Sequence, residues 1–276
     1  MGGTEYSFTV ALVDTIGPYC GGSLVAKYVV LTAAHCFGAL SDVAVNRHDL
    51  RNEGEGEVIP MARQLQHPRY KKKTTNNDFM LVFLERPITE DVRLATLNDS
   101  ASYPHLHDRA TVVGWGDTDP SDEVDVISDE LLEVDVHVIA NDVCEASSHG
   151  NENYHGKITE EMLCAANPLK DSCQGECPRD ARIAASMPCL TTTCHPGDSG
   201  GPLLLPKGRG LVQIGVVSVS SLLVSLRLLP WAGSHPAPSA VPVGHRLRKR
   251  ALSGGTYKQP NASCLGIPNS NVCFTL

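Results

Sequence analysis

Short apolar runs broken by turn residues set the pattern of this chain. Phe8–Val13 and Val29–Leu31 are runs of strand length, too short for helices and rich in Val, Leu and Thr. Gly17-Pro18 and Gly21-Gly22 punctuate them as turns. Residues 41–73 continue as strands and charged loops, and Phe79–Leu84 is a near-continuous apolar strand. After a polar, turn-rich stretch over residues 90–109, Thr111–Gly116 restarts the β pattern. Leu131–Val138 then alternates as a half-buried strand. Asn141–Cys144 predicts a short helix capped by Asn141, and no long helical period occurs. The pattern is that of an all-β protein.

Composition narrows the class. At 276 residues the chain can bury a core without covalent help, as one large domain or two moderate ones. A net charge of −8 disfavours a nucleic-acid partner. Ten cysteines are many for a reduced compartment, and their spacing does not suit zinc. They read as disulfides of a secreted protein, where the sequons Asn98-Asp99-Ser100 and Asn261-Ala262-Ser263 would be usable. No signal peptide opens the chain. Glu53, Glu55 and Glu57 offer oxygens to calcium, but a solvated acidic loop is the better reading. Lys71-Lys72-Lys73 reads as a solvated turn. Leu211–Trp231 has the length of a membrane anchor, against which stand Gln213, Arg227 and four serines. No metal and no cofactor are expected.

The chemistry gathers around Gly197-Asp198-Ser199-Gly200-Gly201-Pro202-Leu203. Glycines on both sides let the backbone approach a substrate and leave N–H groups free to meet an oxyanion. A serine hydroxyl is a weak nucleophile until a base takes its proton. The chain supplies a histidine in Leu31-Thr32-Ala33-Ala34-His35-Cys36 and a carboxylate in Asn77-Asp78-Phe79. Asp78 enters an apolar strand, where an unpaired carboxylate is costly, so it should have a partner. His35 is the natural one: a carboxylate on Nδ1 leaves Nε2 facing the serine. Taken singly, these could be a loop histidine beside a disulfide and a turn aspartate.

The order His35, Asp78, Ser199 is that of the chymotrypsin-type proteases. Leu31–Cys36, Asn77–Leu84 and Asp198–Leu203 resemble the histidine, aspartate and serine motifs of the trypsin-like family. Cys20–Leu24, Gly114-Trp115-Gly116 and Met162–Ala165 are similar to further landmarks of that family. The resemblance implies two antiparallel Greek-key β-barrels with the active site in the cleft between them. Residues 1–92 would form the first barrel, carrying His35 and Asp78, and 93–109 a linker. Residues 110–218 would form the second barrel, carrying Ser199 and interrupted at 176–197, with 219–276 an irregular tail. The implied activity is peptide-bond hydrolysis through an acyl-enzyme, with His35, Asp78 and Ser199 catalytic. Gly197 and Ser199, or Gly175, would supply the oxyanion hole. Asp171, in Asp171-Ser172-Cys173-Gln174-Gly175, would sit under the substrate side chain and select Arg or Lys, with Ser218 also binding substrate. The implied disulfides are Cys20–Cys36, Cys144–Cys164 and Cys173–Cys264. Implied partners are protein or peptide substrates and protein protease inhibitors, in an extracellular setting, with no nucleic acid and no membrane.

The chain departs from the pattern in three places. The family runs directly from its Asp-Ser-Cys-Gln-Gly into Asp-Ser-Gly-Gly-Pro, whereas Glu176–Gly197 lies between them here. If that segment loops out, Gly197 takes over from Gly175. Thr193, which carries no charge, then lies six residues before the serine. Gly2-Gly3-Thr4-Glu5 resembles the family's mature amino terminus, whose freed α-amino group pairs with the aspartate before the serine, but Met1 precedes it here. After Gly215–Ser218 the family's Trp-Gly strand is replaced by a Ser/Leu run, a Pro-rich stretch and basic Arg246–Arg250. The second barrel is therefore expected to be incomplete. A catalytically impaired homologue that acts as a binding protein is the alternative reading.

Overall fold

The computed structural model describes residues 5–100, 102–116, 127–146, 148–149, 152–166, 198–208, 210–219, 223–225, 262–264 and 273–275. Six strands come first: β1 Thr9–Val13, β2 Pro18–Ala26, β3 Val29–Thr32, β4 Asp42–Val45, β5 Glu57–Gln66 and β6 Met80–Leu84. They close into an antiparallel barrel in the order β1-β2-β3-β6-β5-β4. Val10, Leu12, Leu24, Val30, Ile59 and Val82 lie on one face of the ring and are fully buried. Closure removes the free edges that an open sheet of such strands would present. Gly21-Gly22 is not a turn but the middle of β2, paired with Ala11 and Val10 of β1. A Cβ on Gly22 would meet Val30 Cγ1 at 2.7 Å, so close packing rather than chain reversal calls for glycine there.

The second barrel uses β7 Arg109–Gly114, β8 Leu132–Ile139, β11 Met162–Ala166, β12 Pro202–Lys207, β13 Gly210–Val219 and β14 Leu223–Ser225. A small hairpin of β9 Ser148–His149 and β10 Glu152–Asn153 lies between β8 and β11 in the chain. The ring closes in the order β11-β14-β13-β12-β7-β8. It reaches past Ser218, and its closing strand, β14, has only three residues. Val112, Val136, Leu203, Leu205 and Ile214 fill it. Leu211 to Val219, half of the candidate anchor, is spent in β13. No helix among the described residues is long and apolar enough to cross a membrane.

The expected helix forms as α1, Asn141–Glu145, but its cap is Ala140. The Asn141 amide instead donates to the Thr159 and Met162 carbonyls, at 3.1 and 2.9 Å. It ties α1 to the start of β11. The Cys144–Cys164 disulfide fastens the same two elements, and Cys20–Cys36 fastens β2 to the histidine turn.

Between the barrels the chain is pinned to both. Ala95 donates its N–H to Leu24 of β2, while Thr96 and Asn98 bracket Gln213 of β13 with two backbone bonds. The Asn98 amide donates to Ser100 and Tyr103 carbonyls, so the asparagine of the first sequon is buried while Asp99 is exposed. Trp115, 1% exposed, packs with Ala11 and Ala44 of the first barrel and donates to His48 O. In the acidic loop, Glu57 binds Arg86 and the N–H groups of Thr89 and Glu90, and Glu55 binds the N–H of Asp49.

Contacts divide the chain into Met1–Pro230 and Trp231–Leu276. In the second unit β15 Ala262–Cys264 and β16 Cys273–Thr275 pair antiparallel, where an irregular tail was expected.

Candidate active site

His35 sits in a single 3-10 turn, Ala34–Cys36, directly after β3. The run Thr32-Ala33-Ala34 is fully buried, and the Gln66 amide holds the Ala34 carbonyl at 2.8 Å. The imidazole emerges from this packed base with its side chain 29% exposed. Asp78 precedes β6, after Asn77 in a left-handed backbone conformation at φ 56°. Its side chain is 0% exposed.

The pairing expected from the sequence is present. Asp78 Oδ1 accepts the backbone N–H of His35 at 2.8 Å, and Oδ2 lies 2.7 Å from His35 Nδ1. Two bonds to one residue fix the position of the turn as well as the ring. With Asp78 ionised, the proton sits on Nδ1 and Nε2 keeps its lone pair. Oδ2 also accepts the Ser218 hydroxyl at 2.5 Å. Ser218 was expected at the substrate, and the structure places its Oγ on this carboxylate. Tyr70 stands near enough that burial, reinforced by the Asp78 charge, pushes its phenol up to about 12.

The second barrel delivers Ser199 to the same place. Asp198-Ser199-Gly200 forms a tight turn before β12, and all three residues are buried. Gly200 has φ +84°, and a Cβ there would stand 2.2 Å from Thr32 Oγ1 and 2.5 Å from Gly21 O, so only glycine fits. Gly200 N–H donates to Val217 O and Val217 N–H donates to Gly201 O, which straps the turn to β13. Ser199 O accepts the Gly21 N–H of the first barrel at 2.7 Å. Cys36 Sγ lies 3.8 Å from both Ser199 O and His35 Nε2. His35, Asp78, Ser199 and Ser218 therefore share one small volume at the junction of the barrels.

Asp198 has a different environment. Gly114 and Gly116 cradle its carboxyl so closely that a Cβ on either would fall within 2.2 Å of an oxygen. Its one described bond comes from Gly116 N–H at 2.9 Å. Burial pushes the carboxyl from an ordinary 3.8 up to about 7, against the lowering effect of that bond. The sequence singled out Gly114-Trp115-Gly116 as a landmark without showing that it makes this cradle.

Asp171, Cys173, Gly175 and Gly197 lie outside the described residues, and Cys264 lies in β15. Sequence reasoning passed over Thr32, whose hydroxyl holds Gly21 O at 2.7 Å, and the buried pair Ser23 and Gln213. The small residue and the polar residue inside apolar strands were their only signals.

Two antiparallel barrels in one chain, meeting at a His–Asp pair and a glycine-flanked serine turn, are the two-barrel fold of trypsin-like proteins. The Trypsin family model matches residues 2–177. The chain belongs to the trypsin family. Human Serine protease 1 is 35% identical over 161 residues, which are 57% of this chain and 62% of that protein. Human Kallikrein-14 is 33% identical over 204 residues, 72% of this chain and 63% of that protein. The chain thus spans less than two thirds of these curated relatives. Among solved structures, mouse neuropsin, a serine protease expressed in the limbic system of the brain, aligns with a TM-score of 0.61. That match has 25% identity and covers 80% of this chain and 89% of the neuropsin chain. The family match ends at residue 177, just inside Glu176–Gly197, and Ser199 lies beyond it.

Proposed function

We propose that this protein is a serine endopeptidase in which Ser199 attacks the substrate carbonyl. His35 Nε2 takes the Ser199 proton and then returns it to the leaving amine. Asp78 holds the ring and stabilises the imidazolium. The backbone N–H of Ser199, with that of Gly197 or Gly175, receives the oxyanion. Water then hydrolyses the acyl-enzyme by the same steps in reverse. The observation that carries this reading is the doubly bonded His35–Asp78 pair beside the docked Ser199 turn.

Cleavage after Arg or Lys is the specificity we propose, supported by the resemblance of Asp171–Gly175 to the pocket run of trypsin-like members. Substrates would be extracellular proteins or peptides, and protein protease inhibitors would be the natural ligands of the same site. Hydrolysis of Arg- and Lys-terminated peptide amides, compared with Ser199→Ala, tests the proposal. Activity lost in the variant supports it, and equal turnover in the two proteins refutes it. A chain lacking Glu176–Gly197 locates the fault if neither turns over: rescue there points to the inserted segment.

One observation favours a second reading, that of an impaired homologue which binds partners. Asp198 is buried with its carboxyl raised to about 7 and faces no cation among the described residues. The same assay with the intact chain separates the two readings.

A further inference from the structure

Gly21 and Ser23 lie two residues apart on β2 and so face the same way, about 7 Å apart. Gly21 holds the Ser199 carbonyl through its N–H. Ser23 Oγ donates to Gln213 Oε1 at 2.7 Å, and these residues are 0% and 1% exposed. The other end of the Gln213 amide donates to Gly215 O at 2.9 Å, and its backbone is clamped by Thr96 and Asn98. The register between β12 and β13 shifts at this point, between Leu203 and Leu204. Further along β13, Val217 straps the Ser199 turn and Ser218 holds Asp78. One strand therefore carries the barrel joint and both attachments of the reacting groups. The Gly21–Ser199 bond is the contact nearest the nucleophile, and Ser23–Gln213 is the fully buried side-chain bond beside it on the same strand. Two contacts about 7 Å apart on β2 thus hold the stretch of the first barrel that faces Ser199.

We propose that Ser23 and Gln213 are a positioning pair, a buried joint that sets the His35–Asp78 barrel at working distance from Ser199. This rests on the proteolytic reading given above. Neither residue touches substrate, and the pair acts through β2 and β13. Errors of about 1 Å in such geometry cost on the order of 10²-fold in rate.

The test uses the full chain and exploits the asymmetry of buried hydrogen bonds. Ser23→Ala leaves Gln213 Oε1 unsatisfied and should lower the melting temperature. In Ser23→Ala/Gln213→Leu neither side chain of the pair is orphaned, although Gly215 O loses the Gln213 amide, so stability should return in part. A positioning role predicts that the double variant keeps a kcat about 10- to 100-fold below wild type with KM unchanged. It also predicts faster amide exchange at Gly21, while the amides of β3 and β6 stay protected. A kcat that returns to wild type together with stability overturns the proposal, as does unchanged exchange at Gly21. If the wild-type chain shows no Ser199-dependent turnover, the proteolytic reading fails instead. Gly21 exchange in the double variant then decides the joint alone.

Discussion

Replacing Asp198 with asparagine should remove a pH-dependent loss of stability and reverse the stability order of the two proteins between pH 4 and pH 8. The wild-type carboxyl is buried between Gly114 and Gly116, and its pKa rises from 3.8 to about 7 on folding. A raised carboxyl binds its proton more tightly in the folded state. The folded chain is therefore penalised as pH climbs from about 4 through 7, and the penalty is complete above that. At about 1.4 kcal/mol per pH unit, carrying the carboxyl that far costs about 4 kcal/mol at pH 8. The amide of the Asp198→Asn variant would keep the oxygen that accepts the Gly116 N–H but cannot ionise. Where its new N–H groups go unpaired, they add a pH-independent cost of about 1–3 kcal/mol. Asp198→Asn should then be less stable than wild type at pH 4 and more stable at pH 8, the difference changing by about 4 kcal/mol. Urea unfolding at intervals from pH 4 to 8, with disulfides intact, measures this. A difference that stays flat within about 1 kcal/mol would mean that a cation neutralises Asp198, and the desolvation argument would be wrong.

Three further outcomes are expected. Asp78→Asn keeps its bonds in part but favours the wrong His35 tautomer, so kcat should fall by about 10³- to 10⁴-fold; a loss below tenfold in peptide-amide turnover would remove Asp78 from the mechanism. Gly200→Ala should cost about 2–4 kcal/mol in urea unfolding, because of its +84° φ and the 2.2 Å approach to Thr32 Oγ1, and a silent substitution would contradict the close docking of the turn. Burial works to raise the Glu57 carboxyl, but Arg86 and the Thr89 and Glu90 N–H groups outweigh it and hold the pKa at about 2. A depressed carboxyl stabilises above its unfolded pKa and loses that contribution as pH falls towards 2, so Glu57→Gln should destabilise at pH 7 and become indistinguishable by pH 2; equal losses at both would refute the pairing.

Strand periods, the all-β class and the three residues that carry the proposed chemistry were readable from the residues alone. Runs such as Phe79–Leu84 read as buried strands by their length and the all-β spacing around them, and His35, Asp78 and Ser199 stand in short segments whose residue types announce them. Their pairing was legible too, because a carboxylate entering an apolar strand requires a partner and His35, able to present Nε2 to the serine, was the natural candidate. Contacts between distant strands settled the rest. Gly21-Gly22 reads locally as a turn, and only the approach of Val30 shows it to be strand. Asn141 reads locally as a cap, and only the arrival of β11 gives its amide better acceptors. Gln213 looked like a fault in an apolar run until the first barrel brought Ser23 to it from 190 positions away. Local propensity is set by a few neighbouring residues. The partner of a buried polar group is set by the packing of the two barrels, and no local stretch of sequence contains that information.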